Sequence, residues 1–251
     1  MTEPADDVWV RRFHSVSQSR MTVVCFPHAG GAATFFHPLS TALKPAIQVV
    51  AMQYPGRQDR RHDPFLTSID GLADGCFRAL RPLLDRPVAF FGHSMGATVA
   101  FEVARRMRQD IGTAPVTLFA SGRRAPSRYR EESLHTRGDE ELVAELKVLS
   151  GTDARLLADP ELVGLILPVI RADYTAVETY RFESGPVLDC PIIALIGDRD
   201  PQVTVDEVQD WSRHTTGAFK LRRFTGGHFY LADHLRAVVG VINQQLLTQA
   251  C

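Results

Sequence analysis

One serine in this chain stands where a serine can act as a nucleophile. Ser94 lies in Gly92-His93-Ser94-Met95-Gly96, and a Gly-x-Ser-x-Gly run lets the backbone turn sharply enough to present the hydroxyl at a corner. Such chemistry needs a base to take the hydroxyl proton and an acid to orient that base. Asp198, Asp200 and His228 follow in the chain, and the order serine, acid, histidine fits one of the three common serine-nucleophile layouts and not the other two. Among nine histidines, His228 follows a Gly226-Gly227 turn, which suits a base on a short, adjustable loop. Asp200, past the turn at Gly197, is expected to reach it, while Asp198 is expected to hold the turn through an Asx-type hydrogen bond. His93 neighbours the serine only in sequence and is read as wall or packing.

The elements needed to position these groups are legible around them. Pro87 and the apolar run that follows describe a buried strand, and residues 97–107 carry apolar positions at helical spacing, so Ser94 sits on a strand-to-helix corner. The helix aims its free N–H groups and positive dipole end at that corner; Arg105, Arg106 and Arg108 suit the far end. Other strands are expected at residues 9–14, 21–27, 48–52, 116–122, 191–197 and 219–224, with helices at 69–84 and 235–247. This alternation predicts an α/β fold with a mostly parallel sheet and helices on both faces. Between residues 123 and 189 the alternation stops. A helix over 139–149, with Gly151 placed to end it, and a second from the N-cap Asp159 through Pro160 to Ile170, broken or kinked at Pro168, predict a helical lid insertion at 123–189 within a single domain, 1–251.

Strand-ending residues 28–31 are glycine-rich. Neither a dinucleotide fingerprint nor a P-loop is present, so the glycines are read as admitting a backbone N–H to a reacting carbonyl oxygen, half of an oxyanion hole. Arg57, Arg60 and Arg61 form a basic cluster expected to be solvated, as does the cluster Arg123, Arg124, Arg128 and Arg130, which also suits docking of an acidic domain.

The 251 residues are 45% hydrophobic and 23% charged with a net charge of −1, which gives no support to nucleic-acid or polybasic membrane binding as the main task. No secretory leader or apolar run of about 18 residues is present, and the expected location is cytoplasmic. The four cysteines are scattered and form neither a zinc pattern nor a disulfide framework; Cys25 and Cys190 are expected as buried thiols.

Four stretches together resemble the discrete type II thioesterases that accompany polyketide synthases and nonribosomal peptide synthetases: Phe26-Pro27-His28-Ala29-Gly30-Gly31, Tyr54-Pro55-Gly56-Arg57, the Ser94 motif, and Gly197-Asp198-Arg199-Asp200-Pro201 with Gly226-Gly227-His228-Phe229. The resemblance implies an α/β-hydrolase fold with a mobile lid, a triad of Ser94, Asp200 and His228, and an oxyanion hole of the Ala29 and Met95 N–H groups. It implies hydrolysis of acyl groups, especially aberrant or stalled ones, from the phosphopantetheine arm of acyl or peptidyl carrier proteins. No cofactor or metal is expected, nor nucleic acid or membrane as a partner, and the expected state is a monomer. A start at Met1 without a preceding carrier domain favours a discrete hydrolase over a terminal cyclising domain. Gln58 and Tyr230 depart from common family residues and are placed as modifiers of the substrate channel. The alternatives are a small-molecule carboxylesterase, an acyltransferase, or a non-catalytic carrier-binding module.

Overall fold

The computed structural model describes residues 8–16, 19, 21–149 and 159–247. Seven strands form one sheet in the order β1-β3-β2-β4-β5-β6-β7: β1 Val10–Arg11, β2 Thr22–Phe26, β3 Gln48–Met52, β4 Val88–His93, β5 Leu118–Ser121, β6 Ile192–Gly197 and β7 Phe219–Phe224. All neighbours pair in parallel except β1, which lies antiparallel on the edge against β3. The strand expected over residues 9–14 shrinks to these two residues, because β1 has one neighbour only and the chain leaves the sheet at Arg12.

Every residue of β4 and β6 is buried, as befits central strands covered on both faces. Alternate side chains of each strand enter separate cores. On one face Val24, Phe90, Leu118 and Ala194 pack with α2 (Ile69–Leu80) and α3 (Met95–Ile111). On the other, Cys25, Phe91, Phe119 and Leu195 pack with α1 (His37–Leu43) and α7 (Leu235–Leu247). Cys25 and Cys190 are buried as expected, and burial pushes both thiols up.

Between β5 and β6 lie two helices of the insertion, α4 (Asp139–Leu149) and α5 (Pro160–Thr179). Asp159 caps α5 by accepting from the Glu161 and Leu162 N–H groups at 2.9 and 3.3 Å, with Pro160 at the first helical position. The helix runs on through Pro168 for eleven more residues to Thr179, beyond the expected end at Ile170. Its C-terminal half is held by burial: Ala172, Asp173, Ala176 and Val177 are all covered, and such tertiary packing overrides the cost of an internal proline. Leu142, Leu146, Leu167 and Ile170 form a third, small core between the two helices. The stop expected at Gly151 lies outside the described residues. After β6, the short helix α6 (Val205–Gln209) opens with a complete capping box between Thr204 and Glu207. No helix among the described residues is long and apolar enough to cross a membrane.

Phe119, fully buried in a central strand, tests this two-core arrangement. Phe119→Ala is expected to lower unfolding free energy by about 3–5 kcal/mol, read as a lower denaturant midpoint at unchanged slope.

Candidate active site

The strand β4 ends at His93 and α3 starts at Met95, so Ser94 alone makes the turn, at φ 55° and ψ −124°. That conformation is unfavourable for any residue with a side chain, and the packing around it leaves no alternative. A Cβ on Gly92 would stand 2.2 Å from the Gly96 carbonyl oxygen, and one on Gly96 only 2.0 Å from the Phe26 carbonyl oxygen. Both glycines are therefore required by close backbone approach. The Ser94 N–H donates to the Ser121 carbonyl at 2.8 Å, and the side chain stays partly exposed while His93 is wholly buried.

The ends of β6 and β7 bring the other two groups together. His228 Nδ1 meets Asp200 Oδ2 at 2.8 Å, with both side chains buried. The second Asp200 oxygen accepts from the Gln202 N–H at 2.9 Å, an Asx turn that fixes the carboxylate. Asp198 has a different task from the one expected: its Oδ1 accepts from the Gly226 N–H at 2.9 Å and so pins the loop that carries His228. Ser94 and His228 line one cavity of about 530 Å³ together with Ala29 and Met95. No hydrogen bond joins Ser94 Oγ to His228 among the described residues; such contacts are often long in ligand-free sites and tighten around substrate.

The N–H groups of Ala29 and Met95 have no hydrogen-bond acceptor among the described residues. Met95 is the first residue of α3, where an N–H has no partner within the helix. The next residue after Ala29 is held hard. Gly30, at φ +74°, donates its N–H to Asp173 Oδ2 at 2.7 Å, and a Cβ there would stand 2.8 Å from Ile170 Cγ1.

Asp173 is the residue that sequence reasoning missed. It comes from the middle of α5, is fully buried, and forms an ion pair with Arg57, itself buried after β3. Arg57 also donates to the Pro55 carbonyl at 2.5 Å. One carboxylate thus ties the 28–31 loop, the Tyr54-Pro55-Gly56-Arg57 turn and the inserted helix together. Burial raises the Asp173 carboxyl against the lowering influence of Arg57. The only sequence signal was an acidic residue amid the covered positions of a helix. Of the cluster expected to be solvated only Arg61 is exposed: Arg57 is buried, and Arg60 is buried, stacks 4.5 Å from the Trp9 ring centroid and pairs with Asp63. In the second cluster Arg124 pairs with Glu132, Arg128 with Asp210 and Arg130 with Glu207, so internal carboxylates occupy the charges expected to be solvated or to receive a partner.

The histidines beside the site are structural. His93 Nδ1 meets Ser121 Oγ at 2.9 Å, and Ser121 Oγ meets the Tyr230 hydroxyl at 2.6 Å. Burial, then the neighbouring His228 and His28, holds His93 well below its ordinary pKa and so neutral. His28 packs between the rings of Phe35 and Phe229 at 4.6 and 4.8 Å, and burial lowers it to about 3. Tyr230 is thus joined to His93 through Ser121, and Gln58 donates to Thr34 at 2.9 Å. Neither lines the cavity, contrary to the expectation that they modify the channel.

Residues 21–246 match the thioesterase domain family. The chain is 50% identical over 245 residues to a probable cadicidin biosynthesis thioesterase of Streptomyces griseus, covering 96% of this chain and 68% of that one. It is 47% identical over 241 residues to thioesterase PikA5 of Streptomyces venezuelae, covering 96% and 86%. Among solved structures, the type II thioesterase BorB from the borrelidin biosynthetic cluster superposes with a TM-score of 0.90 at 51% identity, covering 97% of this chain and all of that one.

Two stability measurements check this reading of the buried charges. Asp173→Ala strands the Arg57 guanidinium and is expected to cost about 3–5 kcal/mol, whereas the double replacement Arg57→Met with Asp173→Leu recovers much of it; denaturant unfolding of both variants decides. For His93, the folded pKa lies below the unfolded value of about 6.5, so below that pH the unfolded chain binds more protons and stability falls as pH falls. Between pH 6.5 and 5 the loss is expected to approach about 1.4 kcal/mol per pH unit for this one group, and His93→Asn should show a correspondingly shallower slope.

Proposed function

This chain belongs to the thioesterase domain family and is a type II thioesterase of the polyketide and nonribosomal peptide kind, a serine hydrolase with the α/β-hydrolase fold; we propose that Ser94, Asp200 and His228 are its catalytic triad. The observation that carries the assignment is the 2.8 Å contact of Asp200 with His228 in the cavity that Ser94 also lines. His228 Nε2 removes the Ser94 Oγ proton as the oxygen attacks the thioester carbonyl, and Asp200 holds the imidazole tautomer and stabilises the imidazolium. The Ala29 and Met95 N–H groups receive the oxyanion. Collapse of the tetrahedral intermediate expels the thiol, protonated by His228. Water, activated by the same base, then attacks the acyl-Ser94 ester, releasing the acid and restoring the serine hydroxyl.

The substrate in this reading is an acyl group on the phosphopantetheine arm of a carrier protein, and removing aberrant or stalled groups is the task. The residues 123–189 act as a lid: α4 and α5 supply Glu145, Leu149, Tyr174 and Val177 to the cavity wall, so movement of these helices opens or closes the route to Ser94. The tie from Asp173 to Gly30 links that movement to the loop bearing the Ala29 N–H.

Intact-mass spectrometry of acyl-loaded carrier proteins tests the reading. Wild type is expected to remove the acyl mass and release free acid, while Ser94→Ala and Asp200→Asn lower the rate by at least about 10⁴-fold. Acyl groups that stay on the carrier with wild type, while simple esters are cleaved, would sink the carrier assignment. Full activity of Ser94→Ala would sink the triad.

A further inference from the structure

Arg123 is the one member of its arginine cluster with no ion pair among the described residues. It is only 9% exposed, yet its guanidinium has no hydrogen bond or ion pair among the described residues, although Arg124, next to it, does. Glu132, whose charge acts on Arg123, has both oxygens engaged by Arg124. None of its nitrogens is among the buried side-chain atoms that lack a partner; the residue is covered, yet its donors open onto the cavity that it lines, where an acceptor can meet them. Arg123 follows β5, beside the strand that delivers Ser94, and lines the same cavity as Ser94 and His228.

A second donor faces the same space. Tyr174, on α5 one residue beyond Asp173, also lines the cavity, and its hydroxyl has no hydrogen-bond partner among the described residues. The two groups feel each other electrostatically and line the same cavity. Burial lowers the Arg123 guanidinium to about 9 and raises the Tyr174 phenol, so at neutral pH one is a charged donor and the other a neutral O–H. Glu131 and Glu141 line the same cavity; of the other carboxylates on its wall, Glu145 accepts from Gln202 at 2.5 Å, and Glu178 accepts from the Leu134 and His135 N–H groups at 3.1 and 2.9 Å.

We propose that Arg123 and Tyr174 form a polar subsite that binds an oxygen acceptor on the chain of the thioester substrate. The acceptor is either a 3-oxo or 3-hydroxy oxygen of the acyl group or an amide carbonyl of the pantetheine arm; both flank the thioester and both are what two convergent donors recognise. The proposal rests on the thioesterase reading above. A site built to hydrogen-bond an oxygen discriminates strongly against an analogue lacking it, because its own buried donors are then left unpaired. The subsite therefore sets which acyl thioesters this chain removes quickly.

The test measures kcat/KM of wild type, Arg123→Met, Arg123→Lys and Tyr174→Phe on three substrates: 3-hydroxybutyryl-pantetheine, butyryl-pantetheine and p-nitrophenyl butyrate, the last lacking both acceptors. The expected result is a fall of about 10- to 100-fold for Arg123→Met, measured as the ratio of 3-hydroxybutyryl-pantetheine to p-nitrophenyl butyrate turnover. Arg123→Lys and Tyr174→Phe should fall less. If butyryl-pantetheine loses as much, the acceptor is the pantetheine amide; if it does not, the acceptor is the acyl oxygen. Equal losses on all three substrates, as a merely structural role would give, overturn the subsite, and so does an unchanged ratio. Wild type that cleaves the ester but neither thioester overturns the thioesterase reading itself, and the subsite with it.

Discussion

The turn at Ser94 is the constraint on which the rest of the molecule depends. A serine at φ 55° holds strain of order 1–3 kcal/mol, and it persists because backbone from two neighbouring segments closes around it. The Gly96 position lies so near the Phe26 and Pro27 carbonyls that β2, β4 and α3 must meet at one point. That meeting fixes the parallel pairing of β2 with β4 and sets the end of β2 beside the start of α3. The Ala29 and Met95 N–H groups, on separate segments, are brought to the same cavity by this close approach.

Around that fixed corner the remaining groups are held in graded ways. Asp200 and His228 sit on turns after adjacent strands, each turn closed by an aspartate: Asp200 through the Gln202 N–H and Asp198 through the Gly226 N–H. These short-range bonds hold the loops to the rigid ends of β6 and β7. The 28–31 loop is held differently, by an ion pair buried away from water. Replacing such a pair with apolar side chains is often neutral or stabilising, so stability alone is a weak reason for its presence. What Arg57 and Asp173 supply is a directional link between the inserted helix and the loop beside Ser94.

Charge is arranged economically over the same region. Arg124, Arg128 and Arg130 each have a carboxylate of their own, and the last two fasten the insertion to the helical segment after β6. Arg123 differs from these neighbours in facing the cavity, where solvent or substrate supplies the partner. The histidines follow the same logic. His93 and His28 lie against the site yet are kept neutral by burial, whereas His228 has the Asp200 carboxylate as its partner.

Much of this was determined by the sequence itself. Local chemistry marked the elbow glycines, the Asp200 turn, the His228 loop and the α5 cap, because each depends on residues within a few positions of one another. Strands β3 and β7 and helices α4 and α7 were legible to the residue from composition and periodicity. The tertiary structure decided what depends on distant partners. It reduced the first strand to Val10–Arg11 because only β3 flanks it, and it carried α5 through Pro168 because buried contacts outweigh a missing N–H. It also buried Arg57, Arg60 and Arg124, expected at the surface, against carboxylates of their own. Arg57 and Asp173 are 116 residues apart in the chain, and no local pattern encodes a pairing at that separation; only the packing of α5 over the strand ends brings the two charges together and excludes the water that would have weakened them.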